Sequence, residues 1–272
     1  MKNRIILIAG LPRSGSTLLC NILAQNPKFH VTPTNGTLNL LQLIKNNWTD
    51  IDSFKAQGIK KTLPKMRTAL RGMFLGFYEE YLNKDMIVFD KDRGWLNNID
   101  LIEEVTGRKV QIITTIRDIK DIASSFEKLN RKNNIIKNNL YSNDVTRLSV
   151  YSRTTDLLSP TGVIGNCVNM LRDIFLKQQD DRLLIVPMGA LTNNPKDVMK
   201  ELYTKLELES FEHHFTDMEQ LINEDDYVYG IPGLHNIQPN VNPIQSNAIE
   251  ILGEQICNEI DEAFSDIKKL LG

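Results

Sequence analysis

The sequence predicts an α/β protein with a central, mainly parallel sheet and helices on both of its faces. Three observations support this. Residues 4–10 (RIILIAG) form an unbroken aliphatic run, the pattern of a strand buried on both sides. A glycine-bearing turn follows at once and leads into Leu18, Leu19, Ile22 and Leu23 at helical spacing. Three more apolar runs, at 86–89, 110–116 and 182–187, alternate with helical patterns, as in strand–helix–strand units.

The first helix should stop at Asn26-Pro27, since proline disfavours helical continuation. Residues 37–82 read as mostly helical, with Leu40, Leu41, Ile44 and then Met66, Leu70, Met73, Phe74 and Phe77 three and four apart. The strand at 86–89 (MIVF) ends in Asp90-Lys91-Asp92, and a helix over 98–106 leads to the strand at 110–116, which has Arg117-Asp118 at its carboxyl end. A helix through Ser124, Ser125 and Phe126 comes next. Residues 128–142 are rich in Asn and Lys without periodicity and are expected to form a mobile surface loop or lid. Helices are expected at 165–178 and 197–206, on either side of the strand at 182–187. Residues 225–243 turn to Gly, Pro, Asn and Tyr, an irregular stretch before a C-terminal helix. With no repeat and no low-complexity linker, residues 1–272 are taken as one domain.

Composition narrows the function classes. Hydrophobic residues at 41% and charged residues at 24% suit a globular chain with a substantial core. Lys+Arg at 32 against Asp+Glu at 34 leaves no global basic field, so neither a nucleic-acid partner nor an anionic membrane surface is expected, and any anion site must be local. Cys20, Cys167 and Cys257 lack metal-ligand spacing; no metal site is expected, and a reducing compartment fits best. The N-terminus lacks the pattern of a signal peptide and no run of about 18 apolar residues occurs, so the expectation is a cytoplasmic protein without a membrane span.

Gly10-Leu11-Pro12-Arg13-Ser14-Gly15-Ser16-Thr17 lies between the first strand and the first helix. Glycines let the backbone turn tightly, so that N–H groups and a helix N-terminus converge on an anion; Ser14, Ser16 and Thr17 add hydroxyl donors. This makes the fold P-loop-type. The nucleotide-kinase pattern G-x-x-x-x-G-K-[ST] is met at Gly10, Gly15 and Thr17, but Ser16 stands where the lysine belongs, and the cation is Arg13 inside the loop. A P-loop kinase or hydrolase remains the alternative, with Asp90 at the end of its apolar run as the magnesium-holding aspartate.

GLPRSGSTLL resembles the 5′-phosphosulfate loop of sulfotransferases, P-[KR]-S-G-[ST]-T, and is most similar to the arginine form of tyrosylprotein sulfotransferases and related bacterial enzymes. The family's second element, an arginine at a strand end followed eight residues on by a serine, matches Arg117 and Ser125. A lysine implicated in transfer matches Lys91. The resemblance implies a cosubstrate, 3′-phosphoadenosine 5′-phosphosulfate (PAPS), released as adenosine 3′,5′-bisphosphate after transfer to a hydroxyl or amine acceptor. It implies Arg13, Ser14, Gly15, Ser16, Thr17 and Leu18 at the phosphosulfate end, Arg117 and Ser125 at the 3′-phosphate, and Arg13 and Lys91 as the catalytic cations. Weaker likeness extends to 186–195, where Met188 stands in place of a tyrosine, and to 229–235, a late cofactor-covering loop near which Gln238 replaces a basic residue. The tyrosylprotein enzymes' glutamate base has no counterpart in 31–35, leaving His30, Asp90 or Asp92 to take the proton. A protein that binds the nucleotide without catalysis is the remaining alternative.

Overall fold

A computed structural model describes residues 4–133, 140–143 and 145–271. Strand β1 (Ile5–Gly10) is followed by helix α1 (Ser16–Leu23) and strand β2 (Phe29–Thr34). Helices α2 (Thr37–Asn47), α3 (Asp52–Gln57), α4 (Ile59–Phe77) and α5 (Glu79–Leu82) precede β3 (Ile87–Lys91). Then come α6 (Ile99–Thr106), β4 (Ile112–Ile116), α7 (Ile119–Asn133), α8 (Val150–Leu158), α9 (Val163–Leu176) and β5 (Leu183–Pro187). Helices α10 (Met188–Asn193), α11 (Pro195–Lys205), α12 (Ala248–Leu252), α13 (Glu254–Ala263) and α14 (Ser265–Lys269) complete the chain.

The five strands are all parallel in the order β2-β3-β1-β4-β5, with the aliphatic β1 at the centre. Successive strand residues point to opposite faces, and here they enter two separate cores. Leu7, Ala9, Val88, Ile112 and Ile116 pack under α2, α4, α6, α7 and α9, whereas Ile6, Ile8, Phe89 and Ile113 pack under α1 and α11. Helices on both faces of a parallel sheet make the three-layer arrangement expected from the sequence.

Two elements depart from that expectation. Strand β2 gave no signal because FHVTPT mixes polar residues with a proline; as an edge strand pairing with β3 alone, it tolerates the N–H that Pro33 lacks. The proposed loop at 128–142 begins as helix, since α7 runs to Asn133. Glu127 explains the extension: its carboxylate, 3% exposed, receives Arg131 one turn on at 2.9 Å and Arg153 of α8 at 2.8 Å. Residues 134–139 lie outside the described residues, and of the expected loop only 140–142 are irregular among those described. The irregular stretch at 225–243 is free of helix and strand, as its composition implied.

Register brings the carboxyl ends of the inner strands into line. Ile8 pairs with Lys91, Gly10 with Thr115, and Thr34 with Lys91. The loop after β1, Lys91 and Arg117 therefore share the crevice outside the strand ends, where open parallel sheets bind ligands.

Candidate active site

The loop after β1 is fixed from below by β4. Gly10 has φ 138°, and a Cβ there would stand 2.3 Å from the Thr115 carbonyl oxygen, so only glycine lets the two backbones meet. Leu11 N–H then donates to that same carbonyl at 3.0 Å. The Ser14 hydroxyl, fully buried, lies 2.9 Å from it and 2.7 Å from Thr115 Oγ1. This corrects the reading of Ser14 as a hydroxyl donor to a ligand: its side chain fastens the loop to β4 and faces away from the crevice. Gly15 caps α1 at φ 94° beneath the Met188 sulfur, which a Cβ would meet at 2.1 Å. The N–H groups of Ser16, Thr17 and Leu18 precede the first intrahelical bond, Leu19 N–H to the Gly15 carbonyl at 2.9 Å, and so form the anion-seeking end of the helix.

Arg13 and Arg117 meet beside this end. Arg13 adopts φ 57°, its Nε donating to Ser125 Oγ at 3.1 Å and its Nη1 to the Leu234 carbonyl. Arg117 Nη1 donates to the Arg13 carbonyl at 3.2 Å. Their partners are neutral, and among the described residues neither guanidinium makes an ion pair. Burial first, and then the nearby Arg117 charge, push Arg13 down to about 10 against the pull of Asp226. Burial likewise lowers Arg117, with Asp121 and Asp118 opposing from a distance. Two half-buried cations placed together on neutral acceptors are costly unless an anion joins them.

Lys91 ends β3 with its ammonium 2.7 Å from Glu224 Oε1 and 3.3 Å from Thr17 Oγ1. Glu224 arrives from the irregular segment, and its Oε1 also accepts from the Thr34 N–H and hydroxyl, both at 3.0 Å. Burial would raise this carboxyl, but the Lys91 charge and these hydrogen bonds hold it below the usual range. Two residues on, Asp226 takes the His235 ring Nδ1 at 2.6 Å and the His235 backbone N–H at 2.9 Å. A carboxylate thus does stand at Thr34, from a residue about 190 positions later, which no local pattern could reveal. The acidic run Glu224-Asp225-Asp226 ahead of an aromatic, Gly- and Pro-bearing stretch was the available clue.

The three earlier candidates for a base are placed otherwise. Asp90 is fully buried, held by the Tyr78 hydroxyl at 2.6 Å and the Thr37 hydroxyl at 3.0 Å, and burial pushes it up to about 6. That position also removes it from a magnesium-holding role beside the loop. Asp92 caps the turn at Arg93–Asn97 by accepting from Gly94 N–H at 2.7 Å. His30 stacks on Tyr81 with ring centres 3.4 Å apart on the outer strand. None of them borders the cavity that opens over the loop, about 440 Å³ in volume.

That cavity is bordered by Arg13, Gly15, Ser16, Thr17, Leu18 and Arg117, by Lys91 and Arg93, and on the far side by residues 234–238 and 240–244. Ser125 stands just behind it, reached through Arg13. The profile of the Sulfotransferase family matches residues 6–213, a span that includes the loop, Lys91, Arg117 and Ser125.

The chain belongs to the sulfotransferase family. It is therefore a transferase enzyme. Among solved structures it is similar to the sulfotransferase domain from the curacin biosynthetic pathway, with 13% identity, 97% of this chain and 98% of that chain covered, and a TM-score of 0.58. It is also similar to the sulfotransferase domain from the Synechococcus PCC 7002 olefin synthase, with 16% identity, coverage of 97% and 95%, and a TM-score of 0.53. These likenesses show a shared P-loop-type sulfotransferase fold over nearly the whole chain. No curated protein sequence matches it. Glu224, Asp226 and His235 lie beyond the family-matched residues, so the sulfotransferase profile says nothing of them.

Proposed function

We propose that this sulfotransferase draws its sulfuryl group from PAPS, passes it to a hydroxyl or amine acceptor and releases adenosine 3′,5′-bisphosphate. The observation that supports this best is the meeting of Arg13 and Arg117, two cations without a carboxylate, at the mouth of a loop locked to the strand that bears Arg117. One nucleotide with anions at both ends of its ribose would engage both. In this reading the N–H groups of the loop and of Ser16, Thr17 and Leu18 take the phosphosulfate with Arg13; Ser14 contributes backbone only, and Arg117 and Ser125 take the 3′-phosphate.

Sulfuryl transfer passes through a loose transition state with charge building on the bridging oxygen of the departing nucleotide. Arg13 and Lys91 are the fixed cations for that charge, and each such donor contributes about 3 kcal/mol in a site that excludes water. A kinase would need a lysine in the loop and an aspartate facing it, and this chain has Ser16 and a buried Asp90 at those positions. Residues 1–272 would act as one domain, and three buried free thiols accord with a reducing cytoplasm.

Calorimetric titration with adenosine 3′,5′-bisphosphate tests the reading. Wild-type protein binds it without magnesium, and Arg117→Ala weakens binding by roughly 10- to 150-fold, the worth of one or two hydrogen bonds to a charged group. Magnesium-dependent ATP binding with indifference to the bisphosphate would replace the donor.

A further inference from the structure

We infer that His235, steadied by Asp226, is the proton acceptor of the transfer reaction, delivered to the site by the irregular segment instead of by the helix region that carries the base in the enzymes the loop resembles. The inference rests on the reading of the chain as a sulfotransferase. Transfer to a neutral hydroxyl requires that its proton go somewhere, and the residue that takes it must border the cavity near the transferring end. Of the four histidines in the sequence, His235 alone borders the cavity; His30 and His213 are engaged in other packing.

The geometry assigns its ring atoms. Nδ1 lies 2.6 Å from Asp226 Oδ1. An ionised carboxylate only accepts, so Nδ1 carries the hydrogen and the lone pair resides on Nε2. Asp226 itself is pinned, since its second oxygen receives the His235 backbone N–H at 2.9 Å and its carbonyl accepts from Ile231 N–H at 3.2 Å. This is the arrangement of a base oriented by a third group, with the ring held in one tautomer.

The surrounding charges keep the ring neutral and available. Burial lowers His235 from the usual histidine value, the Lys91 ammonium lowers it further, and Glu224 and Asp226 pull the other way. Tyr229 packs edge-on to the ring with centres 5.5 Å apart and donates to Glu224 Oε2 at 3.4 Å, while Arg13 stands across Leu234. Glu224, the nearest rival, has one oxygen taken by Lys91 and Thr34, and the other faces Tyr229 and the His235 Nδ1 at 3.5 Å. It is also absent from the cavity border. Glu224 thus positions Lys91, whereas His235 meets the acceptor.

The step balances simply. As the acceptor oxygen bonds to sulfur, the bond from sulfur to the bridging oxygen of the nucleotide breaks with its electron pair staying on that oxygen. The acceptor proton passes to His235 Nε2, and the resulting imidazolium, stabilised by Asp226 and Glu224, returns it to solvent after product leaves.

The test uses full-length protein with ³⁵S-labelled PAPS, water and a panel of simple alcohols as acceptors, and bisphosphate binding measured in parallel. Wild type shows a rate that falls with pH on the acid side of the ordinary histidine range, as the lowered imidazole takes up a proton. His235→Asn keeps bisphosphate affinity, lowers the transfer rate by roughly 10²- to 10⁴-fold and abolishes that acid limb. Added imidazole restores part of the rate to His235→Ala. Asp226→Asn, which removes the charge that favours imidazolium, shifts the limb to lower pH. A native rate and an unchanged limb in His235→Asn, with binding intact, would overturn the inference alone, as would a wild type that binds the bisphosphate but transfers to no acceptor in the panel. Loss of bisphosphate binding by wild type would overturn the donor reading, and this inference with it.

Discussion

Two regions of the crevice are built by opposite structural means. On one side, the loop after β1 and the Arg117–Ser125 element sit at the ends of adjacent strands, and strand register fixes their meeting. On the other, Glu224, Asp226 and His235 come from a segment with no helix or strand of its own, held by individual side-chain contacts and a few turn hydrogen bonds. Positions set by a sheet are robust and leave a pattern in sequence; positions set by individual hydrogen bonds leave almost none, and each bond matters more.

Substitutions that break this contrast differ in size. Gly10→Ala should be the most severe, because the new methyl meets the Thr115 carbonyl at 2.3 Å in a backbone conformation that alanine avoids. Denaturant unfolding should show a loss of about 4 kcal/mol or more, and a smaller loss would mean that the loop can lift from β4. Glu224→Gln comes next, leaving the Lys91 ammonium without its partner in a place where both side chains are 5–6% exposed. A loss of about 3 kcal/mol is expected at neutral pH. Because the Glu224 carboxyl is held below its ordinary range, its contribution is present above the unfolded value near 4.5 and lost as pH falls through the lower folded one. Wild-type stability should therefore drop more steeply than that of Glu224→Gln below pH about 4.5, and parallel curves would deny the pairing. Gln25→Ala is the mildest change. It removes two hydrogen bonds to the exposed His214 backbone, at 2.8 and 2.9 Å, for about 1 kcal/mol, with a larger relative effect on transfer than on unfolding if the segment is tuned by such ties.

The same contrast explains what could be read in advance. The central β1 was legible because burial on both faces demands an unbroken aliphatic run, and the loop because its glycines, Arg13 and hydroxyls follow at fixed spacing. Arg117 and Ser125 were legible through the family resemblance, as an arginine at a strand end and a serine eight residues on. Strand β2 was not, since Pro33 and two threonines disguise an edge strand. The inward turn of the Ser14 hydroxyl was equally hidden, because it depends on Thr115, a hundred residues away. Glu224 could not be matched to Thr34 by any periodicity, as the ordering contact is tertiary.

Helix α1 holds the last lesson. It carries the buried Asn21, and Gln25 follows just past its end; Asn21 Oδ1 accepts from Ile222 N–H at 2.9 Å, and Gln25 grips His214 through both ends of its amide. The helix whose first turn opens on the crevice is therefore also tied, along its length and just past its end, to the wandering segment. A single residue inserted between 222 and 224 would leave both ties in place and every strand untouched, yet slide the Glu224 carboxylate off Lys91, so the crevice depends on the exact length of a connection that the sheet does not control.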